Sequence, residues 1–178
     1  MSKLPDAQLS HIGLRVGDLP KMIAFYERTL GLVLTDKGAL SGRELAFLSR
    51  NPEEHHQVVM VHDPASKEPL SSAQQISFKL KTLEDLRTFY AALLVQKVSG
   101  LEGRDHGNSW SLYFFDPEGN KIELYLPTPW HVSQPWRASL DLAMPAEAIL
   151  AQTAQRMKEN PTSRPAAEWT DEMRGRLV

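Results

Sequence analysis

Four polar side chains fall where strand alternation would turn them to one side of a sheet. His11 leads into Ile12-Leu14-Val16 and Gln75 into Ile76-Phe78-Leu80. Glu123 alternates with Ile122-Leu124-Leu126, and Tyr113 with Trp110-Leu112-Phe114. Residues two apart on a strand share a face, so each apolar set marks a packing face and its opposite carries these four. An imidazole beside a carboxylate can bind a divalent cation. With no cysteine in the chain, thiolate ligands, thiolate nucleophiles and disulfides are excluded. Any metal must rest on His, carboxylate or amide donors, and His plus carboxylate with open positions suits Fe(II), Mn(II) or Zn(II). The plainer alternative stays open on periodicity alone: His11 as a hydrogen-bonded strand residue, Glu123 as a solvated one. The adjacent His55 and His56 follow Glu53-Glu54, a setting typical of surface loops.

The elements that position these residues repeat. Residues 9–34 lie over residues 73–98 at an offset of 64 with no gap. Leu19 meets Leu83, Phe25-Tyr26 meets Phe89-Tyr90, and Leu30 meets Leu94. A repeat this long signals a duplicated supersecondary unit. Two copies are too few for a solenoid, so they should pair into one domain. Each copy opens with a period-2 strand. Asp18 and Thr82 are then the expected helix N-caps, with Pro20 just inside the first helix. The helices should run to about Leu30 and Leu94. Three strands should follow in each copy, at about 32–36, 43–49 and 57–62, and at 96–99, 109–115 and 121–126. In the turn Asp116-Pro117-Glu118-Gly119, Pro117 pre-sets φ and Gly119 allows a positive one. The expected fold is α+β: two paired βαβββ modules, 9–62 and 73–126, forming an incomplete barrel around a pocket.

Residues 127–178 differ in composition and hold six prolines. They read as a helical extension wrapped on the domain, with helices at about 146–158 and 166–176. Trp130, Trp136 and Trp169 are expected to be buried. At 178 residues and net charge −2 the chain suits one domain. It lacks the clustered Lys and Arg of a nucleic-acid or anionic-membrane surface. No apolar run approaches a membrane helix, and the N-terminus has no signal-peptide core. A cytoplasmic protein, with no nucleic-acid or membrane partner and assembling as a homodimer, is the expectation.

The stretch LSHIGLRVGDLPKMIAFYERTLGL, followed later by YFFDPEGNKIELY, resembles the vicinal oxygen chelate superfamily of glyoxalase I, fosfomycin- and bleomycin-resistance proteins and extradiol dioxygenases. The resemblance covers residues 8–126, the expected domain. EHHQVVMV, DHGNSWSLYFFDPEGNKIELY and PTPWHVSQP look closest to single-domain homologues of biphenyl-diol and catechol ring-cleaving dioxygenases. It implies a mononuclear divalent metal, Fe(II) first and Mn(II) or Zn(II) after it. Its ligands would be His11, Gln75 and Glu123. Gln75 is a departure, because the family places a second His there; the amide is a weaker ligand, and a metal-free pocket is the alternative. His56 would be the acid–base, although alternation alone does not separate it from His55. Tyr113 and His106 would orient substrate. Three functions follow: an extradiol-type dioxygenase acting on a catecholic compound with dioxygen, a glyoxalase-type lyase or isomerase, or a metal-free aromatic-binding protein. Val59, the repeat partner of Glu123, offers no fourth ligand for the second of these.

Overall fold

A computed structural model describes residues 9–65 and 74–176. Residues 8 and 73, which open the expected domain and the second repeat, lie outside them. The described residues divide into two compact units. One holds 9–65, 74 and 116–120; the other holds 75–115 and 121–176.

The first unit runs β1 (Ile12–Val16), α1 (Leu19–Leu30), β2 (Val33–Leu40), β3 (Arg43–Ser49) and β4 (Val58–His62). Its sheet order is β1-β4-β3-β2, with β1 parallel to β4 and the other pairs antiparallel. Asp18 caps α1 by accepting the Lys21 N–H, and Gly31 ends the helix in the left-handed region at φ 65°, where only glycine is unstrained. The helix buries Met22, Ile23, Phe25, Tyr26 and Leu30, at the 3.6-residue spacing of an amphipathic stripe. Residues 116–120 belong to this unit. Glu118 accepts the N–H groups of Gly17 (3.0 Å) and Asp18 (2.7 Å), placing a carboxylate at the positive end of α1.

The second unit repeats the pattern: β5 (Ile76–Lys79), α2 (Leu83–Val95), β6 (Glu102–Asp105), β7 (Ser109–Phe115) and β8 (Lys121–Pro127). Here β5 is parallel to β8, and β8-β7-β6 is antiparallel. Thr82 and Asp85 form a reciprocal capping box on α2, which satisfies two N–H groups at once. The tail adds β9 (Trp130–His131), β10 (Ala138–Ser139), α3 (Ala146–Glu159), β11 (Arg164–Pro165) and α4 (Ala166–Arg176). β10 joins the sheet beyond β6, giving the order β10-β6-β7-β8-β5, and β9 pairs with β11. The α+β class and the two βαβββ modules are as expected, and neither sheet closes into a barrel.

Two expectations fail. No strand forms at 96–99. Helix α2 continues to Val95, Gln96 caps it, and Lys97 and Gly100 take positive φ of 53° and 70°. The strand comes later, at Glu102–Asp105, where pairing to β7 and β10 holds residues with no apolar pattern of their own. The tail tryptophans are also less buried than expected. Trp130 and Trp136 are half-buried, and Trp169 is 39% exposed, stacked at 5.2 Å on His131. The buried tryptophan is Trp110, at 4%. Its indole N–H donates to Thr153 of α3 (2.8 Å), the polar contact such a ring needs when buried.

Candidate functional site

Strand register alone builds a polar row across the second sheet. Tyr113 is the register partner of Glu102 on β6 and of Glu123 on β8, and Glu123 is the partner of Ser77 on β5. In-register partners face the same side, so Tyr113, Glu123 and Ser77 stand side by side, and Gln75 lies two residues before Ser77.

Glu123 is the centre of this row and is 7% exposed. A carboxylate taken from water must be compensated. Here it accepts three neutral donors: Tyr113 OH on Oε1 (2.6 Å), and Ser77 Oγ and Gln75 Nε2 on Oε2 (2.5 Å each). Burial first, then the hydrogen bond to Glu123 and its charge, hold the Tyr113 hydroxyl well above its ordinary pKa. Tyr113 therefore keeps its proton at neutral pH and acts as a donor. That proton goes to Glu123, and the Tyr113 oxygen also lies 3.1 Å from His106 Nε2. Lys121 lies over the Tyr113 ring, with Nζ 4.2 Å from its centroid, a cation–π contact that fixes the ring.

The tail fixes His106. Its Nδ1 lies 3.2 Å from the Trp136 carbonyl, and Gln134 Nε2 donates to the His106 carbonyl (2.9 Å). Sequence reasoning placed His106, Tyr113, Gln75 and Glu123 but assigned no role to Ser77, Lys121, Gln134 or Trp136. Ser77 and Lys121 were legible as polar-face positions. The hold of the tail on His106 had no sequence signal beyond the PTPWHVSQP segment.

The other expected residues lie in the first unit. His11 directly precedes β1, and Ile12 N–H donates to the Gln57 carbonyl (3.0 Å), so the start of β1 lies beside the loop before β4. His56 in that loop packs on His11, ring centroids 4.6 Å apart, and on Phe47 at 5.3 Å. His55 is the more exposed of the pair, with its Nδ1 2.9 Å from His56 Nδ1. Burial first, then the neighbouring His11 and His55, lower the His56 pKa, against the opposing charge of Glu54. His56 is therefore a neutral imidazole at pH 7, in the form that can take up a proton.

Whether these residues suit a divalent cation is a question of donors. Among the described residues, no three His, Cys, Asp or Glu side chains gather as a cage. The expected set is one imidazole, one amide and one carboxylate, all acceptable to Fe(II), Mn(II) or Zn(II). Gln75 and Glu123 are already neighbours, but Gln75 presents its N–H. To serve as a ligand beside Glu123, that amide would have to turn over and offer Oε1.

A profile of the glyoxalase/bleomycin resistance protein/dioxygenase superfamily matches residues 8–124. The chain belongs to this superfamily. Within it, biphenyl-2,3-diol 1,2-dioxygenase 3 of Rhodococcus globerulus is 32% identical over 128 residues, 67% of this chain and 63% of the relative. The chain thus spans less than two thirds of that relative's length. Metallothiol transferase FosB of Lysinibacillus sphaericus is 31% identical over 125 residues, 67% of this chain and 82% of the relative. Of solved superfamily structures, a variant of the FosX fosfomycin resistance protein of Listeria monocytogenes, complexed with Mn(II) and a dihydroxypropylphosphonic acid, matches with a TM-score of 0.56. It is 20% identical, and the match covers 70% of this chain and 95% of that one; the likeness is one of fold. Among the described residues of this superfamily member, no helix is long and apolar enough to cross a membrane.

Proposed function

We propose that the chain is an extradiol-type ring-cleaving dioxygenase for a small catecholic compound, with residues 8–126 as its working domain and 127–178 as an extension. The observation that carries this reading is the continuous hydrogen-bonded chain His106–Tyr113–Glu123. It joins three of the six residues that the extradiol resemblance singles out, and the identity to a biphenyl-diol dioxygenase supports it. The metal ligands in this reading are His11, Gln75 and Glu123, with Fe(II) preferred. A bound divalent ion would supply activation of dioxygen and of the catecholate. His56, neutral at pH 7, takes a proton from the substrate hydroxyl. His106 and Tyr113 form the polar pair that orients substrate oxygen, Tyr113 with its proton retained. The reading carries with it a cytoplasmic homodimer with dioxygen as co-substrate.

A second reading has one observation in its favour. With three donors on Glu123, its charge is compensated without a cation, which suits a metal-free binder of aromatic compounds. A panel of catechols offered in air to Fe(II)-loaded protein separates the two. Ring cleavage is followed by the yellow product and by oxygen uptake. We expect turnover, lowered about 100-fold in Tyr113→Phe and His106→Ala, the scale on which a positioned proton donor or acceptor acts. Saturable catechol binding without oxygen uptake, in fully loaded protein, would leave only the binder.

A further inference from the structure

The segment that joins β9 to β10 closes a loop of hydrogen bonds on His106. The Trp136 carbonyl lies 3.2 Å from His106 Nδ1, and Gln134 links the same two residues by a second route. Its Oε1 accepts the Trp136 N–H (3.0 Å), and its Nε2 donates to the His106 carbonyl (2.9 Å). The backbone dictates each polarity, because an N–H can only donate and a carbonyl can only accept. One orientation of the Gln134 amide therefore satisfies both ends. The same logic fixes the ring. A carbonyl offers no proton, so His106 Nδ1 must carry one. While the ring is neutral, Nε2 then holds a lone pair, 3.1 Å from the Tyr113 hydroxyl. That hydroxyl has one proton for two acceptors, Nε2 and Glu123 Oε1. His106 Nε2 thus has no proton to give and can only take one.

We propose that Gln134 is a positioning residue: by tying the Trp136 peptide to the His106 backbone it holds the ring with its proton on Nδ1, and so makes Nε2 the atom that accepts the hydroxyl of a phenolic ligand. The ligand class rests on the catecholic reading above; the state of the ring does not. The segment needs such a tie. Residues 132–137 lie between two strands of two residues each and belong to neither. Val132 is fully buried and lies against Gly107, which anchors the start of the segment. Ala138 pairs with Asp105, which anchors its end. Between those anchors, the Trp136 carbonyl is aimed by what the N–H of the same residue finds, and that is Gln134. Gln134 is itself exposed, so its side chain contributes geometry and not burial. Released from the carbonyl, a neutral imidazole can carry its proton on either nitrogen. A ring protonated on Nε2 would meet a ligand hydroxyl as a donor instead.

The test is long-range proton–nitrogen correlation NMR of the imidazoles in the nitrogen-labelled full chain, which shows the ring nitrogen that carries the proton. It is run at alkaline pH, where imidazoles are neutral, and needs neither metal nor turnover. The His106 signals are assigned by their loss in His106→Asn. Wild type should show one form, with the proton on Nδ1. In Gln134→Ala the ratio of Nδ1–H to Nε2–H should fall about fivefold, the factor that one net hydrogen bond carries. Thr162→Ala removes the hydroxyl that accepts the Ser133 N–H but leaves Gln134 in place, and it should keep the wild-type spectrum. Catechol added to wild type should move the Nε2 resonance, and it should bind Gln134→Ala about fivefold more weakly. A wild-type ring protonated on Nε2, or an unchanged ratio in Gln134→Ala, overturns the inference. So does an equal change in Thr162→Ala, which would show that any loosening of the tail suffices. Catechol that binds without moving Nε2 overturns the ligand role. If catechol binds no form while the ring states are as stated, the catecholic reading falls and the positioning role of Gln134 stands.

Discussion

Replacing Asp105 with Ala will lower the unfolding free energy by about 3–5 kcal/mol, the cost of breaking a buried ion pair from one side. Asp105 is fully buried at 0% exposure. Its Oδ1 accepts the Gly107 N–H (2.8 Å), and its Oδ2 accepts Thr153 Oγ1 (2.8 Å) and Arg156 Nη1 (3.0 Å). Thr153 passes the chain on by accepting the Trp110 indole N–H. One carboxylate on β6 thus holds two residues of α3, three apart and on one helix face, and through them the one fully packed tryptophan. The loss leaves the Arg156 guanidinium with the Ser139 carbonyl but no counter-charge. Gly107 packs under the same helix at φ 73°, so close that a Cβ would meet Val132 and Met157; any side chain there should also destabilise. Urea unfolding followed by tryptophan fluorescence measures the effect. The double variant Asp105→Ala with Arg156→Leu should recover part of the loss, because it removes the stranded charge. An Asp105→Ala midpoint within error of wild type would show that α3 is docked by apolar packing alone.

Asp116→Ala should cost about 3 kcal/mol, since a buried acceptor serving several donors leaves each of them unpaired on removal. Asp116 Oδ1 accepts the N–H groups of Glu118 (3.0 Å) and Asn120 (2.8 Å). Its Oδ2 accepts Asn120 Nδ2 (2.8 Å) and the Tyr26 hydroxyl (3.2 Å). Burial raises the Asp116 pKa, and the hydrogen bonds from Asn120, Glu118 and Tyr26 oppose that rise. Tyr26, itself buried and facing this carboxylate, is held well above its ordinary pKa and stays a donor. Asp116→Asn keeps one acceptor oxygen and turns an N–H toward groups that donate, so it should lose roughly half as much. Equal losses in the two variants would mean that the carboxylate charge, which both remove, matters more at the turn than the number of acceptors or the shape. Because Glu118 meets the start of α1, hydrogen exchange in α1 should rise in Asp116→Ala.

These two residues also mark where the sequence was legible. The repeat, the helix caps Asp18 and Thr82, and the helices at about 146–158 and 166–176 follow from local chemistry, and the structure has them, the first of the two helices ending at Glu159. The Asp116-Pro-Glu-Gly turn was legible as a turn, with Gly119 at φ 83°, but its carboxylates as anchors for Tyr26 and α1 were not. Those contacts join residues 90 to 101 apart in the chain, and no local pattern encodes them. β6 was missed for the same reason. Two residues separate α1 from β2 but six separate α2 from β6, so the repeat offset slips where pairing partners, not propensity, fix the strand. The tail tryptophans misled because size predicts burial only when an element exists to cover the ring. α4 buries none of its residues. At the site, alternation gave the polar face on which Tyr113, Glu123 and Ser77 lie, while the pairing of Ser77 with Glu123 came only from the β5–β8 register.

Metal content is the most direct test of the central claim, that this chain works through a divalent ion held by Gln75 and Glu123 with an imidazole. Wild type, Gln75→His and Glu123→Ala are purified without chelator, loaded with Fe(II) without oxygen, desalted and measured by plasma mass spectrometry. The account predicts partial iron in wild type and more in Gln75→His, where imidazole replaces an amide oxygen. It predicts none in Glu123→Ala, which loses the only negative charge of the set. Iron absent from wild type and Gln75→His alike would contradict it.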